Sequence, residues 1–485
     1  VKFLSPMLLC DFYKISHRGL YPEGMKKCYS TWTPRTSRLK GVDKVVAFGF
    51  QSFIQNYLVD FFNEHFFNRP LEEITYEYER VLKYCLGEQR VDTKHIEELH
   101  NLGYLPILIK AVPEGLRVPL RTPILTIENT DDRFFWLTNY IETLASCELW
   151  QACTSATIAY EYRQILDKAA METVGNTDFV QFQGHDFSMR GMSSLQSAVS
   201  SGMGHLTSFV GTDTIPAIQA LEHHYDANIT KELVGTSISA TEHSIQCAYG
   251  DDLVYFNAML SRPGMISVVS DGYDFWNVIE NILPTLKNNI MQREGKLVIR
   301  PDSGDPVKIV CGDPDGKTEI ERKGAVEALW DIFGGSVTEK GYKLLDSHIG
   351  LIYGDAITLQ RAEEITQKLK QKGFASINIV FGIGSYTYQY NTRDTFGFAL
   401  KSTSCTIGDT EKQIFKNPKT DDGTKKSQKG RVAVFQRDNE DVEFMDGLDS
   451  TVMPSNNILK PIFKNGKISI KTSLNEIRLR LRESK

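Results

Sequence analysis

The chain has 485 residues, 41% of them hydrophobic and 24% charged. That balance is ordinary for a folded globular protein, and the length exceeds what one compact core usually holds. The net charge of -6 excludes a global attraction to nucleic acid or to acidic membranes, so any anionic ligand must be gripped by a local cluster of Arg and Lys.

The eight cysteines form no CxxC pair and no Cys/His spacing of a zinc site, which points to reduced thiols and a cytoplasmic setting. No signal-peptide pattern opens the sequence and no apolar run matches a bilayer span, so no membrane association is expected.

Taken in chain order, Val45–Phe50 suits either a strand or the start of a helix. Apolar spacing predicts amphipathic helices over Ile74–Leu86 and Asp92–Leu99. Strands are predicted at Ile107–Val112 and Pro123–Ile127, and one long or two shorter helices from Phe134 to about Ala170.

After Phe179 the pattern changes. Short apolar runs end repeatedly in polar or glycine-rich turns. Phe179–Phe182 leads into Gly184-His185-Asp186-Phe187, and Phe209-Val210 into Gly211-Thr212-Asp213. Ile266–Val269 leads into Ser270-Asp271, and Leu297–Ile299 into Arg300-Pro301-Asp302. Leu351–Tyr353 leads into Gly354-Asp355, and Ile379–Phe381 into Gly382-Ile383-Gly384-Ser385. Helical stretches intervene, most clearly Leu359–Lys372.

Repeated strand–turn–helix units require a parallel sheet, because parallel strands need long crossovers. Chemistry-capable residues follow nearly every strand, which favours a β/α barrel over an open sheet with one switch point. From about Phe396 the character changes again. Lys412–Arg431 reads as a mobile basic loop, Val432–Phe435 as a strand and Leu474–Leu481 as a helix. The expected division is a β-rich α+β domain of residues 1–150 with 396–485, and a barrel-like catalytic domain of residues 151–395.

The five acids Asp186, Asp213, Asp271, Asp302 and Asp355 all follow predicted strands. Each alone suits a helix cap. Five at one level make a ring that can orient sugar hydroxyls, accept an amide N–H, or hold Mg²⁺ through water. Among the cations, Arg300 stands out, because a Pro-Asp-Ser-Gly turn after a buried strand is a poor place for an idle charge. Gly354 and Gly382–Gly384 can present backbone N–H groups to phosphate. His243, preceded by Glu242 and small residues, suits acid/base work or phosphate acceptance.

These motifs together resemble the nicotinamide phosphoribosyltransferase family along essentially the whole chain. The matching runs include Asp11-Phe12-Tyr13-Lys14, Trp136–Asn139, His185-Asp186-Phe187 with Arg190-Gly191, Gly211–Thr214 and Glu242-His243-Ser244. Ser267–Asp271, Ile299–Gly304, Gly354-Asp355 and Thr392-Arg393-Asp394 complete the set. Two local departures are Ser188-Met189 and the turn Gly382–Tyr386, which is glycine-richer in the family.

The resemblance implies an irregular β/α barrel of the type II phosphoribosyltransferase kind with a second β-rich α+β domain, and a homodimer sharing its active sites. By similarity, Phe187 and the Tyr13 of a second copy sandwich the pyridine ring, with Asp11 nearby. Asp213 takes the carboxamide N–H, while Ser267, Arg190 and Arg300 bound the same pocket. Asp302 would hold ribose hydroxyls, and Gly354, Asp355, Gly384 and Ser385 would line the phosphate cradle. Arg35, Arg393, Lys401, Lys416 and Lys425 would clamp the diphosphate and ATP phosphates.

The implied reaction joins nicotinamide to phosphoribosyl pyrophosphate with Mg²⁺. ATP would phosphorylate His243, which Glu242 and Asp271 orient. The rival expectations are a nicotinate-using enzyme of the same architecture and a non-catalytic scaffold on this fold.

Overall fold

The computed structural model describes residues 4–420, 423, 425–437 and 441–484. Of the basic segment Lys412–Arg431, residues 421, 422 and 424 therefore lie outside the described residues. The chain divides into two compact units: one of residues up to Thr157, Ala220–Ala227 and Asn391 onward, the other of Ile158–Gln219 and Asn228–Tyr390. The boundary falls within the 32-residue helix Glu142–Thr173.

The first unit is built on a seven-stranded sheet. Its strand order is Thr410–Gln413, Ala399–Ile407, Met25–Thr33, Leu125–Asn129, Ile107–Ala111, Lys460–Lys464, Lys467–Ile468. Neighbours run antiparallel, and Met25–Thr33 is paired along both edges. Trp32 on that strand is fully buried and stacks on Phe398 at 5.4 Å and 8°. The helices Leu71–Cys85 and Lys94–Leu102 bury the stripes Ile74/Tyr78/Leu82 and Ile96/Leu99 against this core, as their spacing predicts. Val45 falls in the short strand Lys44–Val46, and Phe50 opens a helix.

Ala220–Ala227 belongs to this unit through tertiary contacts. The Tyr225 hydroxyl donates to Glu114 Oε2 at 2.9 Å, and its ring stacks on Phe48 at 5.1 Å. Glu114 is wholly buried and also accepts the Gly49 and Gln51 amides.

The second unit is the barrel. Its parallel strands are β1 (Gly184–Asp186), β2 (Gly211–Thr212), β3 (Ser239–Ala240), β4 (Ile266–Val269), β5 (Leu297–Arg300), β6 (Ile349–Tyr353) and β7 (Ile379–Ile383). The sheet order is β2-β1-β7-β6-β5-β4-β3. Its two ends meet through a parallel bridge between Gly211 and Thr236, where the Thr212 amide donates to Thr236 O at 2.9 Å. Neighbours around the ring thus follow chain order, which is the β/α-barrel arrangement.

Two expectations are corrected. The run Phe209-Val210 is not itself a strand, since β2 is the Gly211–Thr212 behind it. The apolar run Phe179–Phe182 is not a strand: Val180–Gln183 forms a short helix, and the strand is the polar Gly184–Asp186 behind it. No helix among the described residues is long and apolar enough to cross a membrane.

Candidate active site at the barrel mouth

The C-terminal ends of the barrel strands carry the predicted site residues, and a cavity of about 430 Å³ opens among them. Its lining includes His185, Phe187, Asp213, Ser267 and Arg300, and it continues along Val298 and Leu351 to Lys296. Burial pushes the Lys296 ammonium below its usual value, with Asp346 opposing.

Phe187 follows β1 and lies on a floor of two glycines. A Cβ on Gly382 would come within 2.3 Å of the Phe187 ring, and one on Gly354 within 2.8 Å. Only glycine at these two strand ends leaves room for the ring.

Asp213, after β2, accepts from His185 Nε2 at 2.8 Å and from Ser237 Oγ at 3.0 Å, both on Oδ1. Burial opposes its charge, but those two bonds and the charge of Arg300 hold the carboxyl below the usual range. It is therefore ionised at neutral pH, with Oδ2 left to accept another donor. Ser267 Oγ and Arg300 Nε, both buried, find no hydrogen-bond partner among the described residues. Such orphaned groups in a cavity wall are suited to a polar ligand. Arg300 Nη2 is anchored on Thr241 O at 2.5 Å.

A second constellation stands at the ends of β3 to β6. His243 Nε2 lies 2.9 Å from Asp271 Oδ1. Asp271 Oδ2 accepts the Asp302 amide at 2.9 Å and Ser303 Oγ at 2.5 Å. The Asp271 carboxyl is buried, which opposes its charge, yet these donors hold it below the ordinary value. Burial raises the Asp302 carboxyl instead; Arg300 opposes the rise, and Asp271 and Asp355 add to it.

Not every expected residue joins these groups. Asp186 is fully buried and spent on structure: it accepts from Ser188 N, Ser188 Oγ and Thr214 Oγ1. Glu242 accepts from the Ser244 hydroxyl, leaving Asp271 as the carboxylate bonded to His243. Arg190 is exposed on the turn Met189–Gly191. That turn abuts Ser385, whose Oγ a Cβ on Gly191 would meet at 2.1 Å. Gly384 caps the short helix starting at Ser385. Asp271, Asp302 and Asp355 are not the helix caps after β4, β5 and β6, which are Asp274, Asp305 and Thr358.

The remaining predicted residues lie in the first unit. Asp11 accepts the Thr143 hydroxyl at 2.8 Å, and Tyr13 is 59% exposed on the helix Phe12–His17. Arg393 is exposed on a turn capped by Thr392. Arg35, Lys401 and Lys425 line a cavity of about 240 Å³ with Lys426, another cation of the tail, and with Arg121, which sequence reasoning missed. Lys416 is exposed near it; its charge and that of Arg35 help to lower the Lys401 ammonium, although burial is the largest cause. His185 and Ser237 were also missed as partners of Asp213, because they lie 28 and 24 residues away from it in sequence.

No group of three or more metal-ligating side chains stands together among the described residues. Asp302 and Asp355 nevertheless offer hard oxygen donors, and Mg²⁺ is commonly held by one or two carboxylates plus substrate phosphates.

The sequence profile of the nicotinate phosphoribosyltransferase (NAPRTase) family matches residues 182–466. A nicotinamide phosphoribosyltransferase of Acinetobacter baylyi is 48% identical over 99% of this chain and 97% of its own. Another from Mycoplasma pneumoniae is 38% identical over 88% of this chain and 95% of its own. In fold, the chain is similar to the nicotinate-nucleotide pyrophosphorylase of Pyrococcus furiosus, with a TM-score of 0.60, 15% identity and coverage of 99% and 95%. It is also similar to human nicotinic acid phosphoribosyltransferase, with a TM-score of 0.54, 14% identity and coverage of 98% and 93%.

Proposed function

This chain belongs to the nicotinate phosphoribosyltransferase family, and on that premise we propose how its barrel mouth works. The reaction is the formation of nicotinamide mononucleotide and pyrophosphate from nicotinamide and phosphoribosyl pyrophosphate, a step of NAD salvage. The observation that carries the site assignment is one cavity holding an aromatic ring on a glycine floor, an ionised carboxylate and an orphaned hydroxyl.

In this reading the pyridine ring stacks on Phe187, and Asp213 Oδ2 accepts the carboxamide N–H. The Ser267 hydroxyl serves the same amide. A carboxylate in place of the amide would face the Asp213 charge, and sites built on such a bond can discriminate by about 10⁴-fold. The pyridine nitrogen already carries its lone pair, so no general base is required. It attacks the anomeric carbon, the carbon–oxygen bond to the diphosphate breaks, and the pair leaves with pyrophosphate. The protein's contribution is positioning and stabilisation of the departing charge.

Asp302 would hold ribose hydroxyls, and Asp355, Gly384 and Ser385 the 5′-phosphate side. Asp302 and Asp355 would be the carboxylates for a phosphate-borne Mg²⁺, which when bound would neutralise charge on the diphosphate. The basin of Arg35, Lys401 and Lys425 would take polyphosphate groups. ATP coupling would run through His243: Asp271 holds Nε2–H and leaves the Nδ1 lone pair to attack the γ-phosphorus, so that an N–P bond forms and ADP departs. The exposed Tyr13 supports a homodimer in which a second copy supplies the other aromatic face. Eight free thiols support the cytoplasm as its compartment.

The test is product analysis of the purified protein with nicotinamide, phosphoribosyl pyrophosphate and Mg²⁺. Mononucleotide and pyrophosphate should form one to one, and Phe187→Ala should raise the nicotinamide KM at least tenfold. An unchanged KM would remove Phe187 from the base site.

A further inference from the structure

The basic basin of the first unit contains a residue in an improbable backbone conformation. Arg121 has φ +71°, the left-handed region that suits glycine and costs free energy for a residue with a Cβ. Its surroundings impose that conformation. The Arg121 amide donates to Pro34 O at 2.6 Å, and Gln428 Nε2 donates to Arg121 O at 2.9 Å. Gln428 is in turn held by the Thr31 and Thr33 hydroxyls through its Oε1. Glycine would occupy this turn without the backbone cost, so packing alone gives no reason for an arginine here.

Charge supplies the reason. Arg121 lines the same cavity as Arg35, Lys401, Lys425 and Lys426, and Asp446 is the one carboxylate among its described lining residues. Lys401 has Glu142 within 3.8 Å, and the five cations lining about 240 Å³ together give the cavity a positive field suited to an anion of several charges. The Arg121 guanidinium forms no ion pair or side-chain hydrogen bond among the described residues, and its planar fork suits bidentate contact with phosphate oxygens. A strained residue kept at a ligand-sized cavity points from the outlier to function.

We infer that Arg121 is a phosphate-binding residue, held in a strained turn to complete a five-cation site for a polyphosphate chain. The chain is either the diphosphate of the sugar substrate or the phosphates of ATP. The inference rests on the reading of this basin as a phosphate site and adds a residue which that reading does not contain.

The strain makes the test clean, because Arg121→Gly relieves the turn. In the full-length protein this variant should melt at the same temperature as the wild type or higher. Its affinity for inorganic pyrophosphate, read by titration calorimetry, should fall about tenfold, as for one lost charge-assisted contact. Arg121→Lys should recover part of that loss. A matching rise in the KM for phosphoribosyl pyrophosphate identifies the sugar diphosphate as occupant, and a rise in the ATP KM identifies ATP. If Lys401→Ala weakens pyrophosphate binding while Arg121→Gly leaves it and both KM values unchanged, the inference on Arg121 is overturned and the basin stands. If neither variant alters any of these, the basin itself is not a phosphate site and both readings fall. A lower melting temperature for Arg121→Gly would make Arg121 a structural residue.

Discussion

His243 Nε2 and Asp271 Oδ1 lie 2.9 Å apart, with the imidazole 48% exposed and the carboxylate only 5%. The buried partner is fixed by two further donors on its other oxygen, Asp302 N and Ser303 Oγ. This is a one-sided arrangement: a rigid acceptor holds one ring nitrogen of a half-exposed imidazole and so sets its tautomer. A carboxylate that orients a functional histidine in this way is commonly worth about 10–100-fold in function. The Asp271→Asn variant should therefore slow labelling of the protein by γ-³²P-ATP about 10- to 100-fold, and His243→Ala should abolish the acid-labile label. Label that persists in His243→Ala would place the phosphoryl acceptor elsewhere.

In the proposed site, Asp213 would set the choice of base. Its carboxyl is held below the usual range, so the charge that favours an amide is present above that depressed value and lost only as pH falls through it. Preference for nicotinamide should then be flat from about pH 5 to 9, as far as this group controls it. Asp213→Asn should weaken nicotinamide binding about 10-fold or more, the worth of a hydrogen bond to a charged group. It should also narrow the amide-to-acid ratio of kcat/KM. Unchanged selectivity would show that the carboxamide does not meet this carboxylate.

The glycine floor can be probed without touching a polar group. In Gly382→Ala the new methyl would lie 2.3 Å from Phe187 and 2.7 Å from the Gly354 Cα. The ring can swing but the backbone of Gly354 cannot easily yield. Overpacking of this kind costs about 1–3 kcal/mol, readable as a lower melting temperature. The displaced ring should raise the nicotinamide KM more than that of phosphoribosyl pyrophosphate. An equal rise in both would mean that the ring does not contact the base.

How much of this was legible in the sequence depends on where the ordering forces lie. β4 to β7 show as short apolar runs because their side chains are buried on both faces, and their turns carry the acids that mark the mouth. β1 is invisible, since Gly184-His185-Asp186 has no apolar pattern and the preceding phenylalanines are helical. β3 is two exposed residues, Ser239 and Ala240, and it is defined by pairing with β4. Ala220–Ala227 joins the first unit through the Tyr225–Glu114 bond, across 111 residues of sequence. Residue types at the strand ends could be read one by one. The sharing of Asp213 by His185 and Ser237, the spending of Asp186 on Ser188 and Thr214, and the left-handed turn at Arg121 are products of packing, which local pattern does not encode.

A cluster far from the mouth offers a test of the fold electrostatics. Arg431 bridges Glu128 at 2.9 Å and Glu411 at 2.6 Å, and Ser450 donates twice to Glu411. Burial opposes the Glu411 charge, but the Ser450 and Arg431 donors lower its carboxyl from 4.5 to about 2. A depressed carboxyl stabilises the fold above its unfolded value and loses that contribution as pH falls through the folded one. Glu411→Gln should thus lower the melting temperature at pH 7, by about 1–2 kcal/mol of stability, and the gap to wild type should shrink by pH 3. A gap independent of pH would assign the loss to packing.

The central claim is that an ionised Asp213 beside Phe187 makes this barrel an amide-using enzyme. Its most direct test is the ratio of kcat/KM for nicotinamide over nicotinate, measured with saturating phosphoribosyl pyrophosphate and Mg²⁺ at pH 7.5. The account requires a ratio of about 10² or more in favour of nicotinamide. A ratio near one, or a preference for nicotinate, would contradict it.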